Sequence, residues 1–65
     1  MVKYPEIEVT LSGQDGNAFS IMSRVKASLR RAGVASFEID EYLLESMSGD
    51  YDNLLRVASS WVTVK

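Results

Sequence analysis

The sequence contains no cysteine and no histidine. Without cysteine there is no disulfide to staple the fold and no thiol nucleophile. Without histidine the usual zinc and haem ligands are missing, as is the base of most nucleophilic dyads. The serines that remain have no evident base beside them, so the chain reads as non-enzymatic, with no metal site and no cofactor. No apolar run approaches the roughly 20 residues needed to span a bilayer, and the stretch from Met1 to Glu6 lacks the apolar core of a signal peptide. The expected location is cytoplasmic, although a lack of cysteine is compatible with any compartment. A net charge of −2 argues against general nucleic-acid binding, which depends on an excess of Lys and Arg.

What is present suits one small folded domain over residues 1–65. Hydrophobic residues make up 46% of the chain, enough to argue against disorder. A chain this short buries only about 60% of its unfolded surface. Association into a homo-oligomer is the expected way to bury more.

Polar and apolar residues alternate from Glu6 to Ser12. This predicts a strand with Ile7, Val9 and Leu11 on its core face and Glu6, Glu8 and Thr10 outward. Pro5 suits the start of an edge strand. Gly13 and Gly16 bracket a turn, and Asn17 can cap a helix that runs to about Ala32, where Gly33 stops it. At 100° per residue, Ala18, Ile21, Met22, Val25, Leu29 and Ala32 form one apolar stripe. Phe19 sits beside that stripe, placed to cover a seam or to face a partner. Ser36 is the expected cap of a second helix, Phe37 to Met47, with Ile39, Leu43 and Met47 inward and Phe37, Tyr42 and Leu44 flanking. Asp50 can cap a third helix, Tyr51 to Ser60, with Leu54, Ala58 and Trp61 inward. The tail from Trp61 to Lys65 alternates again and is rich in β-formers. The expected fold is therefore α+β, a small β-α-α-α-β domain whose two terminal strands pair beneath three helices. Strand direction stays open.

Charge is sorted along the chain. Between Asn17 and Phe37 stand Arg24, Lys26, Arg30 and Arg31 with no acid. Between Glu38 and Leu55 stand Glu38, Asp40, Glu41, Glu45, Asp50 and Asp52 with no base. One account is local: acids near helix starts and bases near helix ends complement helix dipoles, for about 0.3–1 kcal/mol each. The other is that a basic face and an acidic face meet a second molecule, either another copy or a protein of complementary charge. On the second account the candidate interface residues are Phe19, Lys26, Arg30, Arg31, Glu41, Glu45, Asp50 and Tyr51.

The turn Gly13-Gln-Asp15-Gly16-Asn17 has two readings as well. Free N–H groups at a helix start attract anions, and glycines let a backbone come close. The spacing matches neither a P-loop nor a dinucleotide fingerprint. Asp15 adds repulsion, and Arg24, Arg30 and Arg31 lie more than about 9 Å along the helix axis from Asn17. An anion site made of Gly13, Asp15, Gly16 and Asn17 thus needs the arginines of a neighbouring subunit; otherwise the segment is a turn and a cap. The pairs Asp40-Glu41 and Asp50-x-Asp52 lack the calcium-loop pattern, and capping explains the second pair.

The strings Leu11-Ser-Gly-Gln-Asp-Gly-Asn-Ala-Phe19, Arg30-Arg-Ala-Gly33 and Ser48-Gly-Asp-Tyr-Asp-Asn-Leu-Leu55, followed by Trp61-Val62, resemble a family of short uncharacterised proteins of bacteriophages, prophages and other bacterial mobile elements. The resemblance spans about residues 6–65 and implies a context rather than an activity. Small proteins of such elements act as accessory or host-takeover factors, by binding a host protein or sequestering a small signal molecule. Three functions are therefore expected, in this order. The first is a non-enzymatic accessory protein that binds and modulates a host protein, for example a component of antiviral defence. The second is an oligomeric binder of a nucleotide or other small anionic ligand at inter-subunit sites. The third is a purely structural oligomer. No membrane partner is expected.

Overall fold

Lys3 N–H donates to the Ser60 carbonyl at 2.9 Å, and this bond starts a two-stranded sheet formed by the two ends of the chain. The computed structural model describes residues 2–10 and 18–65. Strand β1 (Tyr4–Val9) is followed by helices α1 (Ala18–Arg31), α2 (Ser36–Ser46) and α3 (Tyr51–Trp61), then by strand β2 (Val62–Val64). The fold is α+β with the order β-α-α-α-β, and β1 and β2 pair in parallel. Parallel pairing needs a long crossover, which the three helices supply.

β1 begins two residues before the alternating segment, while the expected strand positions Leu11 and Ser12 lie outside the described residues. Tyr4 pairs with Val62, but the next partners are Glu8 with Thr63 and Val9 with Val64, so β1 carries extra residues between Tyr4 and Glu8. Pro5 falls in this irregularity, where its missing N–H costs no ladder bond. Its carbonyl accepts from Thr63 Oγ1 at 2.8 Å. Ile7 and Val9 are buried and Glu6 and Glu8 exposed, as the alternation requires.

α1 buries Ile21, Met22, Val25 and Leu29. Ala32 lies past its end and is exposed. Gly33 has φ +88°; its N–H donates to the Arg30 carbonyl and Val34 N–H to the Leu29 carbonyl, each at 3.1 Å. That bond pair closes a helix end and needs a left-handed residue, hence glycine.

α2 departs from expectation in two ways. Its cap is Ala35, with no side-chain hydrogen bond, and Ser36 is already helical. The first turn closes on the Ala35 carbonyl, which accepts from Glu38 and Ile39 N–H at 3.0 and 3.2 Å. The buried face is Ile39, Tyr42 and Ser46, rotated by roughly 60° from Ile39, Leu43 and Met47 at 100° per residue. Tyr42 drives this rotation by packing edge-on against Trp61, centroids 5.7 Å apart and planes at 68°. α3 follows the expected pattern. Asp50 Oδ1 accepts from Asn53 N–H at 2.9 Å, and Leu54, Ala58 and Trp61 are buried.

The main core joins Ile7 and Val9 of β1 with Val25, Leu29, Ile39, Tyr42, Ala58, Trp61 and Val62. A smaller cluster of Ile21, Met22 and Leu54 lies between the start of α1 and α3.

Candidate interaction surface

The rotation of α2 decides what the molecule shows to solvent. With Tyr42 and Ser46 turned inward, Phe37, Leu44 and Met47 stand outward, 67, 68 and 58% exposed. Leu44 and the C-cap residue Met47 are neighbours one turn apart, and Phe37 lies on the same side two turns before Leu44, with exposed Asp40 and Glu41 in the turn between. Phe19 at 71% and Tyr51 at 44% exposure complete the set of large exposed apolar side chains among the described residues. Met47, Phe19 and Tyr51 come together at a groove of about 290 Å³ between the start of α1 and the α2–α3 corner. Ala18, Met22, Leu54, Ser46, Gly49 and Asp50 complete its lining.

Ser46 is only 1% exposed, and its hydroxyl has no hydrogen-bond partner. The Tyr42 hydroxyl is buried and unpartnered as well. Burial pushes the Tyr42 phenol up from its ordinary value, and its interaction with the Ser46 hydroxyl one turn on acts the other way.

The corner beside the groove is rigidly tied. Gly49 leaves no room for a β-carbon, which would stand 2.9 Å from Asn53 Cβ. Asn53 Nδ2 donates to the Glu45 carbonyl at 3.0 Å and Ser48 Oγ to the same carbonyl at 2.7 Å. The Glu45 carboxylate accepts from Trp61 Nε1 at 2.9 Å. Glu45 and Asp50, both expected at an interface, therefore also have structural duties, one holding Trp61 and the other capping α3. Glu41 is exposed on α2.

The cations of α1 divide between two adjoining grooves. Arg24 and Arg31 share one of about 610 Å³ with Ser20, Ser23, Ser28, Thr10 and Glu8. Lys26 and Arg30 line a second of about 340 Å³, again with Arg31. Gly13, Asp15, Gly16 and Asn17 lie outside the described residues. The structure thus brings Arg24 to Arg31, and Phe19 to Asp50 and Tyr51. It adds Phe37, Leu44 and Met47, which hydropathy alone assigned to the inner or flanking faces of the second helix. Among the described residues no three carboxylates converge as a metal site, and no helix is long and apolar enough to cross a membrane.

Compared with known proteins, the chain matches no family model, no curated protein and no solved structure.

Proposed function

We propose that the protein is a non-enzymatic accessory factor of a bacteriophage or another bacterial mobile element, and that it acts by binding a protein of its host. The observation that carries the reading is the exposure of Phe19, Phe37, Leu44, Met47 and Tyr51 on so small a chain. Phe19, Met47 and Tyr51 meet at one groove, and clustered exposed apolar side chains of this kind mark interaction sites more often than ordinary monomer surface. The sorted charge supplies direction: cations on α1 and acids on α2 and α3 each favour a partner of complementary sign. The absence of histidine and cysteine leaves binding as the more economical activity. The mobile-element context comes from the sequence resemblance, and a component of antiviral defence is the host protein it favours.

The test is affinity capture from bacterial lysate followed by mass spectrometry. The protein retains one host protein in stoichiometric amount, and either Leu44→Glu or the pair Arg30→Glu with Arg31→Glu removes it while circular dichroism stays unchanged. Retention that ignores both surfaces would sink the reading.

A second reading rests on the groove shared by Arg24, Arg31, Ser20, Ser23, Ser28 and Thr10. Two guanidinium groups and several hydroxyls suit a nucleotide or similar anion, held in an oligomer where a neighbour completes the site; Glu8 in the same groove opposes it. A thermal-shift panel of nucleotides and phosphate-bearing ligands checks this, and a silent panel removes it.

A further inference from the structure

We propose that the outer face of α1 and α2 docks a second copy of this chain. In the resulting two-fold dimer, α1 of each copy lies along α2 of the other. This goes beyond the protein-binding reading above, because the dimer becomes the unit that meets the host. Arg24 and the outer side of α3 stay outside the contact.

The two helices run in opposite senses. Residues 32–35 join the end of α1 to the start of α2, and Phe19 near the start of α1 meets Met47 beyond the end of α2. On α1, Phe19, Lys26 and Arg30 stand at i, i+7 and i+11, hence on one side. They span about 16 Å along the axis. On α2, read backward, Met47 and Leu44 come first, then Glu41 and Asp40, then Phe37, over about 15 Å. By this spacing Phe19 is level with Met47, Lys26 with Asp40 and Glu41, and Arg30 with Phe37. The charges do not pair within one chain. Lys26, Arg30, Asp40 and Glu41 belong to none of the ion pairs among the described residues, which join Lys3 to Glu38 and Lys65 to Glu8.

A two-fold axis running along the helix pair makes this face its own complement. It sets α1 of one copy antiparallel on α2 of the other, with the same residues level. Phe19 of each copy then meets Met47 and Leu44 of the other, and Lys26 meets Asp40 and Glu41. The Arg30 guanidinium reaches the Phe37 ring. Every contact occurs twice. The acids that interrupt the apolar side of α2 fall where α1 carries a cation, and this match selects the occupant. A purely apolar helix would leave Asp40 and Glu41 covered without a counter-charge, and nucleic acid is repelled by the same acids. An axis across the pair would set α1 on α1 and α2 on α2, bringing like charges together. The area is adequate as well. A standard interface takes about 800 Å² from each partner. Phe19 and Phe37, 71 and 67% exposed, supply roughly 200–350 Å² of it, since a buried aromatic covers about 150–250 Å².

Sedimentation equilibrium should return twice the 7.2 kDa of one chain at about 100 μM protein. Lys26→Glu should weaken the dimer about tenfold or more. So should Asp40→Lys with Glu41→Lys, because each change sets like charges opposite one another at two places. Mixing the two variants should restore association as a heterodimer, since both opposed sets are then of unlike sign. Rescue on mixing cannot arise from a contact inside one chain. Arg56→Glu, an equal charge change at an exposed position of α3, should leave the dimer intact, and circular dichroism should stay native throughout. A monomer at this concentration, a dimer that ignores Lys26→Glu, or a mixture that stays monomeric overturns the proposal. So does a dimer that Arg56→Glu weakens equally. A monomer that still captures a host protein overturns the dimer and leaves the broader reading in place; a dimer with rescue that captures none does the reverse.

Discussion

Trp61 ties several elements of this small molecule together. It is buried at the end of α3, donates to Glu45 Oε1 at 2.9 Å, meets the Tyr42 edge, and lies under Lys3 Nζ at 4.2 Å from the ring centroid. Trp61→Phe keeps most of the apolar area and loses the bond to a carboxylate, so it should cost about 1.5–3 kcal/mol. In a domain whose net stability is only about 3–5 kcal/mol, urea denaturation followed by circular dichroism will show a large fall in midpoint. Glu45→Ala should cost less in the Trp61→Phe background than alone, because both remove one bond. A second residue-scale device is the Tyr4 hydroxyl, which donates to Glu38 Oε1 at 2.6 Å beside Lys3 Nζ at 3.4 Å. That bond, then Lys3, holds the Glu38 carboxyl below its ordinary 4.5. The same bond, with desolvation, raises the Tyr4 phenol above 10.0, and burial raises Tyr42. A depressed carboxyl contributes stability above its unfolded pKa that is lost as pH falls through the folded value. A raised phenol contributes stability below its unfolded pKa that is lost as pH rises through the folded one. Melting temperature should therefore be level from about pH 5 to about pH 9.5 and fall on both sides. The acid limb is shallow because Glu38 is screened by solvent. Tyr4→Phe should flatten the acid limb further and leave the alkaline limb carried by Tyr42.

At the scale of elements, the three helices differ in how their ends are closed, and the differences can be tested. α2 starts on Ala35 with φ −62° and ψ 146° and no side-chain cap, with Glu38 at the third helical position. Ala35→Ser puts a hydroxyl on a backbone already in the capping conformation. It should stabilise by about 1 kcal/mol, a rise of roughly 4–8 °C in melting temperature for a chain this size. Gly33→Ala should act the other way. A β-carbon there meets nothing within 4 Å, so the loss of about 1 kcal/mol comes from φ +88° alone; calorimetry on the two variants checks both signs. These ends also show what could be read from the sequence. Gly33 and Asp50 are recognisable as stop and cap because their roles are local, as is the β-α-α-α-β order, set by apolar periodicity. Ser36 misleads, since a serine at the first helical position looks like one at the cap. The face of α2 was not legible for a tertiary reason: hydropathy ranks Leu43 and Met47 above Tyr42 and Ser46, whereas the Tyr42 ring gains an aromatic partner in Trp61, nineteen residues away in another element. The candidate site was half legible in consequence. Phe19, Asp50 and Tyr51 could be singled out as an aromatic off the stripe, a cap and an exposed helix start. Phe37, Leu44 and Met47 emerge as its extension only once α2 is rotated.

For the whole molecule, the decisive contact is the one between its ends. β1 and β2 are parallel neighbours although the three helices lie between them in sequence, so this pairing closes the largest loop in the chain and forms at the highest entropic cost. Strand direction could not be read from the sequence, because a crossover of this length is compatible with either direction. The sheet is short. Tyr4, Glu8 and Val9 pair with Val62, Thr63 and Val64, Lys65 N–H adds a bond to the Val9 carbonyl at 2.9 Å, and Lys65 Nζ meets Glu8 Oε1 at 2.8 Å. The last of these is exposed and contributes little. Val62, by contrast, is fully buried in the same core as Ile7, Val9 and Trp61. Deleting residues 62–65 therefore removes more than a frayed tail: it opens one side of the main core and strips β1 of its only strand partner among the described residues. A lone strand with an apolar face has no stable existence in water. The truncated chain should keep part of its far-ultraviolet helical signal, lose the near-ultraviolet signal of Trp61, bind a hydrophobic dye and melt without a cooperative transition. Substituting Lys65→Ala in the full chain should leave the melting temperature almost unchanged, which separates the strand's contribution from the ion pair's. A truncated chain that still melts cooperatively within a few degrees of the parent would mean that the helices alone hold the fold, and that the meeting of the two ends follows folding instead of completing it.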